Sequence, residues 1–241
     1  GPGTCKTTLA RYFISALPTS DLFQKGMGAI YIRMRANPSQ GQLLSTFLRA
    51  MKYPFTEVRT TRLAQMRDVV IEALQQKGTK LIFVDQAHCL SNQVRTKARD
   101  VHESAASDTL REIIEEVHCG MILLADSSFQ GLEKVDSALA DRITVRHTMS
   151  HFSLNAIWDA FLDAFTKSVT VIDAAILTSS EVNKATFTAT AGNRRRFRRL
   201  IVEAVLIAVD SGAASLLESH FHLAFERTEG TDGNRSNPYA K

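Results

Sequence analysis

The sequence has few cysteines and no long apolar run. Its three cysteines, Cys5, Cys89 and Cys119, are odd in number and far apart, and they form no Cys-x-x-Cys pair. This excludes a disulfide scaffold and a cysteine-spaced zinc site, and it predicts free thiols in a reducing compartment, the cytoplasm. The longest apolar stretches, such as residues 121–125 and 202–209, are far shorter than the ~20 residues that a membrane-spanning helix needs. We therefore expect no membrane span.

Glycine and proline are also scarce, and neither sign of charge dominates. The 241 residues include 12 glycines and 5 prolines, which excludes a collagen-like repeat, and 44% are hydrophobic, which excludes disorder and suffices for a proper core. The chain carries 29 Lys and Arg against 25 Asp and Glu, a formal net charge of +4. Because this excess is mild, the placement of the basic residues matters more than their sum.

The hydrophobic pattern changes near residue 150. Before it, helical spacing alternates with short apolar runs that are typical of strands, and after it only helical patterns remain. This predicts an α/β domain at residues 1–150, a helical segment at residues 151–229 and a flexible polar tail at residues 230–241. Strands are predicted at residues 29–34, 81–85, 120–126 and 143–149, and helices at residues 6–17, 40–51, 62–76, 108–118, 154–165, 181–189, 194–210 and 214–226.

The first eight residues read GPGTCKTT and match most of the phosphate-loop consensus G-x-x-x-x-G-K-[ST]. In such a loop, backbone N–H groups hold a nucleotide phosphate at a helix N-terminus. Lys6 would bridge the β- and γ-phosphates, and the Thr7 hydroxyl would ligate Mg²⁺. Cys5 replaces the second glycine, so we expect it to have a negative φ or a slightly relaxed loop. The alternative is an ordinary Gly-Pro-Gly turn. The predicted nucleotide contacts are Gly1, Pro2, Gly3, Thr4, Cys5, Lys6, Thr7 and Thr8.

A second motif, LIFVDQ at residues 81–86, has the form of a Walker-B strand. Asp85 would orient Mg²⁺ through water, and the next position usually carries the glutamate that activates the attacking water. Here that position holds Gln86, whose neutral amide cannot act as a base. This predicts slow ATP hydrolysis, either by nature or because of an engineered substitution. Taken alone, Asp85 is equally consistent with an ordinary turn residue at the end of a strand.

A third motif, TAGNRRRFRRL at residues 190–200, places a glycine just before an arginine-rich helix start. It resembles the sensor-2 helix of AAA+ ATPases, in which the arginine three residues after the glycine reaches the γ-phosphate. That arginine is Arg195. The alternative is that the five arginines form a solvated or nucleic-acid-facing surface.

With these motifs in place, the chain resembles AAA+ ATPases and, more narrowly, the TniB/TnsC/MuB group of transposition regulators, with ExeA-type ATPases as relatives. The resemblance implies a P-loop AAA+ fold of the α/β class, with a parallel sheet between helices, a first strand upstream of residue 1 and a small all-helical lid. The segments that carry it are GPGTCKTT, VDQAHCLS, ILLADSS, LADRI and AGNRRRFRRL.

The resemblance also implies roles for residues outside these first motifs. Asp126, with Ser127 beside it, is at the sensor-1 position, which more usually holds Asn or Thr. Arg142 matches the arginine finger, which acts on the nucleotide of a neighbouring subunit, and Arg146 is a second choice. The alternative for Arg142 is a surface arginine paired with a carboxylate, with Asp141 beside it.

As an implied function, such proteins assemble on duplex DNA with ATP and Mg²⁺, as rings or helical filaments, and connect a target-selector or adaptor protein to the transposase. DNA would be held through its phosphates rather than its bases. For any single residue, solvated loop charge is the alternative. The predicted DNA contacts form two basic clusters, Lys52, Arg59 and Arg62, and Arg95, Lys97 and Arg99.

Two other functions fit the same motifs. One is an ExeA-like, nucleotide-switched assembly ATPase that does not act on DNA. The other is a helicase loader or initiator ATPase, which often adds a winged-helix domain, and we expect this chain to end too soon for one.

Overall fold

The computed structural model describes residues 3–16, 27–55, 62–92, 106–129, 131–229 and 236–240. The chain divides into two compact units. One is Lys6–Thr148, and the other combines Gly1–Cys5 with Met149–Lys241. Within the described ranges, no helix is both long and apolar enough to cross a membrane.

The first unit is built on a parallel sheet with the strand order β1-β2-β3. Strand β2 is central, and its residues Ile82, Phe83 and Val84 are buried. A continuous apolar run is typical of a strand that is covered on both faces, which explains the LIFVD sequence. The strands are β1, Ala29–Arg33, β2, Leu81–Asp85, and β3, Gly120–Leu124.

Helices connect these strands, because neighbouring parallel strands need a crossover connection. Two of these helices begin with a polar cap. The Ser39 side chain accepts from the backbone N–H of Gln42 at the start of the helix Gln40–Ala50, and the Asp136 side chain accepts from the backbone N–H of Leu139 at the start of the helix Ser137–Arg142. The described helices of this unit are α1, Lys6–Ala16, α2, Gln40–Ala50, α3, Leu63–Gln76, α4, Ala106–Val117, and α5, Ser137–Arg142.

The core of this unit lies between the sheet and the helices. The side chains of Ile82 and Val84 on β2 are fully buried, together with Leu44, Phe47 and Leu48 on α2. These residues follow the predicted helical and strand periodicities, so the core agrees with the sequence pattern in this part of the chain.

The predicted strand at residues 143–149 is wrong. These residues form no ladder with a described strand, and the side chain of Val145 is 88% exposed. Alternating apolar residues form a strand only where a neighbouring strand satisfies their backbone N–H and C=O groups.

The second unit is helical and packs around Trp158, which is fully buried. The indole Nε1 donates to Asn183 Oδ1 at 2.8 Å, so the polar end of the ring is satisfied. Aromatic rings surround the indole, namely Phe152, Phe161, Phe187 and Phe197. The helices are α6, Ala156–Ser168, α7, Ser180–Thr190, α8, Arg194–Asp210, and α9, Glu218–Glu229.

The described part of the predicted tail, residues 236–240, packs onto this unit. Tyr239 is only 4% exposed. Its ring stacks on Phe221 with centroids 5.6 Å apart, and its hydroxyl hydrogen-bonds the Thr186 hydroxyl at 2.9 Å. The polar composition predicts a flexible tail and gives no sign of the contacts of Tyr239. One buried aromatic side chain can nevertheless hold a short polar segment in place.

Candidate nucleotide-binding site

The first two motifs meet where β2 ends and α1 begins. The Thr7 hydroxyl donates to Oδ2 of Asp85 at 2.6 Å, and the backbone N–H of Gln86 donates to Oδ1 at 2.9 Å. Parallel α/β sheets place ligand sites at the carboxyl ends of their strands, and helix N-termini lie at the same edge. The sheet therefore brings Thr7 and Asp85 together, although they are far apart in the sequence.

Asp85 remains a carboxylate despite its burial. Burial raises the pKa of Asp85, but hydrogen bonds from Thr7, Tyr31 and the backbone of Gln86 together lower it, and the net pKa lies below its usual range. An ionised oxygen ligand beside a hydroxyl is therefore maintained at neutral pH.

Tyr31 on β1 is a member of this site that sequence reasoning missed. Its hydroxyl donates to Oδ2 of Asp85, the same oxygen that accepts from Thr7. Burial, followed by the hydrogen bond to Asp85, raises the pKa of the Tyr31 phenol. The guanidinium carbon of Arg11 lies 5.6 Å from the centre of the Tyr31 ring. No sequence signal distinguishes Tyr31 from an ordinary strand tyrosine.

The phosphate-loop residues that the structure describes include two left-handed positions. Gly3 has φ +84° and Cys5 has φ +59°. Of the two expectations for Cys5, the negative φ is wrong, because Cys5 adopts a left-handed backbone, whereas a slightly relaxed loop stays a prediction. For an L-residue this conformation costs roughly 1–2 kcal/mol. Gly3 also cannot carry a side chain, since a Cβ there would overlap the carboxamide of Asn193.

The third motif caps α8 and contacts this loop, within the unit that contains Gly1–Cys5. Asn193 Oδ1 accepts from the backbone N–H groups of Arg195 at 2.9 Å and Arg196 at 3.3 Å. Nη1 of Arg194 donates to the carbonyl of Thr4 at 3.2 Å, and its guanidinium carbon lies 4.3 Å from the ring centre of Phe152.

Arg195, predicted to reach the γ-phosphate, is exposed at this helix start. The neighbouring Arg194 is the arginine that contacts the described phosphate loop, and sequence spacing did not select it. The role of Arg195 stays a prediction.

Asp126, the predicted sensor, lies just beyond β3 in a small polar network. Its Oδ1 accepts from the Ser128 hydroxyl and from the Ser128 backbone N–H, the latter at 2.9 Å. Its Oδ2 lies 3.6 Å from Nε2 of His88. The Ser128 hydrogen bond is the largest influence on the pKa of Asp126, which is lowered with smaller help from His88 and Lys6.

Gln86 follows Asp85 with φ +59°. Its carbonyl accepts from the backbone N–H of Cys89 at 2.9 Å, which starts the 3₁₀ turn at Ala87–Asn92. The left-handed residue turns the chain away from the sheet directly after the carboxylate. The effect of Gln86 on hydrolysis stays a prediction.

The two arginine-finger candidates make ion pairs within their own unit. Arg142 pairs with Glu115, and its Nη1 donates to the carbonyl of Ala138 at 2.8 Å. Arg146 pairs with Glu133. The salt-bridged alternative thus describes Arg142 in this single subunit, with Glu115 rather than Asp141 as the partner.

The predicted DNA contacts are only partly within the described residues. Lys52 is exposed with φ +56° in the turn after α2, and Arg62 is exposed at the N-cap of α3. The other predicted DNA contacts lie outside the described residues, namely Arg59, Arg95, Lys97 and Arg99.

Among the predicted nucleotide contacts, Thr8 is exposed on α1, and Gly1 and Pro2 lie outside the described residues.

The oxygen ligands at the end of β2 fit Mg²⁺. In the described part of the chain, no group of three or more His, Cys, Asp or Glu side chains could hold a metal ion. Mg²⁺ bound with a nucleotide needs few protein ligands, because water and phosphate oxygens supply the rest. The hydroxyl of Thr7 and the carboxylate of Asp85 are of the required type.

Solved structures with a similar fold include several ORC proteins. The Aeropyrum pernix ORC2 protein in its ADPNP–ADP complexes has a TM-score of 0.67 and 16% identity, over 95% of this chain and 59% of that one. The Aeropyrum pernix ORC1 protein in complex with DNA has a TM-score of 0.65 and 16% identity, over 94% and 57%. Drosophila ORC bound to DNA has a TM-score of 0.51 and 13% identity, over 98% and 56%.

These likenesses confirm the predicted AAA+ fold class. The chain spans less than two thirds of each of these proteins, and at such identities the likeness concerns the fold. No curated protein matches the sequence. The model of the family described as bacterial TniB protein matches residues 2–151, which is more than half of the chain and includes residues 2–8 of the GPGTCKTT segment and all of the LIFVDQ segment. The chain therefore belongs to the TniB family and has an AAA+ fold.

Proposed function

We propose that this protein is an ATP-dependent regulator of DNA transposition that assembles on duplex DNA and recruits the transposase. The observation that carries the proposal is the hydrogen bond between Thr7 and Asp85. It joins the phosphate-loop and Walker-B motifs at one point, within the segment that matches the TniB family.

In the proposed site, Lys6 neutralises the β- and γ-phosphates of ATP, and Thr7 and Asp85 hold Mg²⁺, which supplies charge neutralisation for the phosphates. Asp85 is suited to this because its hydrogen bonds keep it ionised. Gly3 lets the backbone pass close to Asn193, where a Cβ would not fit. Backbone N–H groups at the start of α1 would hold further phosphate oxygens.

Hydrolysis needs a group that positions the attacking water. Gln86 can hydrogen-bond this water but cannot remove its proton, so turnover is slow. Asp126 senses the γ-phosphate from the segment that directly follows β3. Arg195 contributes from the start of α8, and Arg142 acts on the nucleotide of a neighbouring subunit after exchanging Glu115 for phosphate oxygens.

DNA binding is proposed through phosphate contacts. The family match and the net charge of +4 support it, as does the similarity in fold to an ORC1 protein that was solved in complex with DNA. Lys52 and Arg62 are exposed, and their cluster would track the DNA backbone without reading bases. Each of these contacts is weak, and only an assembled oligomer aligns enough of them to give useful affinity for DNA. Because assembly is proposed to need ATP, DNA binding needs ATP as well.

The decisive experiment is co-sedimentation of the protein with duplex DNA, with and without a non-hydrolysable ATP analogue and Mg²⁺. We expect pelleting only with the nucleotide, nearly independent of DNA sequence and steeply reduced by salt. Electron microscopy of the same samples should show rings or filaments.

Lys6→Ala should abolish nucleotide binding and DNA pelleting together, because a charge-assisted phosphate contact is lost. Lys167→Ala is the matched control, since Lys167 only pairs with Asp163 on an exposed helix face. ATP binding without any DNA binding in the parent protein would instead favour the ExeA-like, DNA-independent assembly ATPase.

A further inference from the structure

We infer that Tyr31 is a positioning residue that orients the Asp85 carboxylate for the Mg²⁺-dependent binding of nucleotide. The inference rests on the proposed ATP site and adds to it a residue from a strand that carries no nucleotide-binding motif.

The hydrogen bonds of Asp85 distinguish its two oxygens. Oδ1 accepts from the backbone N–H of Gln86, and Oδ2 accepts from the hydroxyls of Thr7 and Tyr31. A carboxylate oxygen has two lone-pair positions, so these two hydroxyls fill Oδ2. Asp85 is only 7% exposed, and water cannot readily replace a lost donor there. The three donors together hold the carboxylate in one orientation.

Tyr31 is placed for this by the register of the sheet. Arg33 of β1 is opposite Asp85 of β2, and Tyr31 is opposite Phe83. Residues two apart on a strand share a face, so Tyr31 is the diagonal neighbour of Asp85, at a separation that an aromatic side chain can reach. The guanidinium group of Arg11 on α1 lies over the ring.

The hydroxyls of Thr7 and Tyr31 have different roles in the proposed site. Thr7 must direct a lone pair toward Mg²⁺ while its hydrogen points to Asp85. Tyr31 donates its hydrogen to Asp85, and its hydroxyl also interacts with the neighbouring hydroxyl of Thr7, so both of its contacts are with the groups proposed to hold Mg²⁺. Its removal should therefore weaken the metal-dependent part of nucleotide binding and leave the metal-free part intact.

Tyr31→Phe tests this, because it removes one hydroxyl and keeps the ring. ATP binding is titrated by calorimetry across a Mg²⁺ series and in excess EDTA. We expect the Mg²⁺ concentration for half-maximal ATP binding to rise about tenfold, the usual effect of losing one hydrogen bond to a charged group. Binding in EDTA should stay within about twofold. At saturating Mg²⁺, kcat should fall while KM for ATP stays unchanged. Tyr12→Phe, on an exposed ring of α1, is the matched control and should change none of these values.

A second arm repeats Tyr31→Phe in an Asp85→Asn background. If Tyr31 acts through Asp85, the substitution should have no further effect there. An equal effect in both backgrounds, or an equal loss of binding in EDTA, would overturn the inference, as would an unchanged Mg²⁺ requirement. Failure of the parent protein to bind ATP with Mg²⁺ would instead overturn the proposed function.

Discussion

At the scale of single residues, Cys5 combines two unusual features. It occupies the second glycine position of the phosphate loop, and it has the left-handed backbone that glycine normally supplies. It is also the most accessible of the three thiols, since Cys89 and Cys119 are buried. A reactive probe can therefore report on the loop itself.

We expect N-ethylmaleimide at pH 8 to label Cys5 well before the other thiols. Burial raises the pKa of Cys119 to about 11 and also raises that of Cys89. A thiol below its pKa is protonated, so both remain unreactive at this pH. ATP with Mg²⁺ should slow the labelling of Cys5, as followed by mass spectrometry. Equal labelling of all three thiols, or no protection by nucleotide, would contradict the proposed loop. Cys5→Ser is the control for site identity.

Gln86 is the second residue whose chemistry can be tested alone. Gln86→Glu preserves the shape of the side chain and supplies the missing base, so ATP turnover should rise by about two to four orders of magnitude. Steady-state phosphate release measures this. Asn92→Asp, an exposed amide-to-acid change at the end of the following 3₁₀ turn, is the matched control. An unchanged rate in Gln86→Glu would mean that a base is not what limits hydrolysis.

At the scale of elements, two segments adopt a structure that their local sequence pattern does not predict. Residues 143–149 have an alternating pattern but no described strand partner. Residues 236–240 have a polar composition but are held by Tyr239. The first segment lacks the partner strand that its pattern would need, and the second is held by a contact that its composition does not indicate.

Tyr239 should therefore contribute measurably to the stability of the helical unit. Tyr239→Ala removes a buried aromatic ring and should lower the free energy of unfolding by about 3–5 kcal/mol. Tyr239→Phe removes only the hydrogen bond to Thr186 and should cost about 1 kcal/mol. Urea titration followed by the fluorescence of Trp158, the single tryptophan of the chain, reports on this unit. If Tyr239→Ala unfolds at the parent's urea concentration, the packing of this segment contributes nothing.

At the scale of the whole molecule, the proposed activity requires more than one subunit. In the single subunit Arg142 pairs with Glu115, so its proposed action on a neighbour involves exchanging one partner for another. Exposed ion pairs of this kind are weak, and the exchange has a low cost.

Arg142→Ala should leave ATP binding by isolated subunits nearly unchanged and reduce both assembly and turnover. Mixing Arg142→Ala with Lys6→Ala should restore part of the ATPase activity, because some interfaces then combine an intact loop with an intact arginine. Arg146→Ala, whose side chain pairs with Glu133, serves as the comparison for the second candidate. Loss of ATP binding by the isolated Arg142→Ala subunit would place Arg142 in its own site instead.

The sequence by itself determined the features that depend on local order. The run LIFVD predicts the central strand with the bounds that β2 has, and the start of α8 is likewise predicted at Arg194. Motif spacing alone also selected Thr7 and Asp85, because the chemistry of a phosphate loop needs a hydroxyl and a carboxylate at known positions.

Only the tertiary structure decided which distant residues meet. Tyr31 reaches Asp85 through the register of two strands, His88 after β2 lies near Asp126 after β3, and Arg194 rather than Arg195 contacts Thr4. Periodicity shows which face of an element is apolar, but it carries no information on how neighbouring elements are aligned. Hydrogen bonds depend on that alignment to within a fraction of an ångström, so these partners follow from the packing of the whole fold.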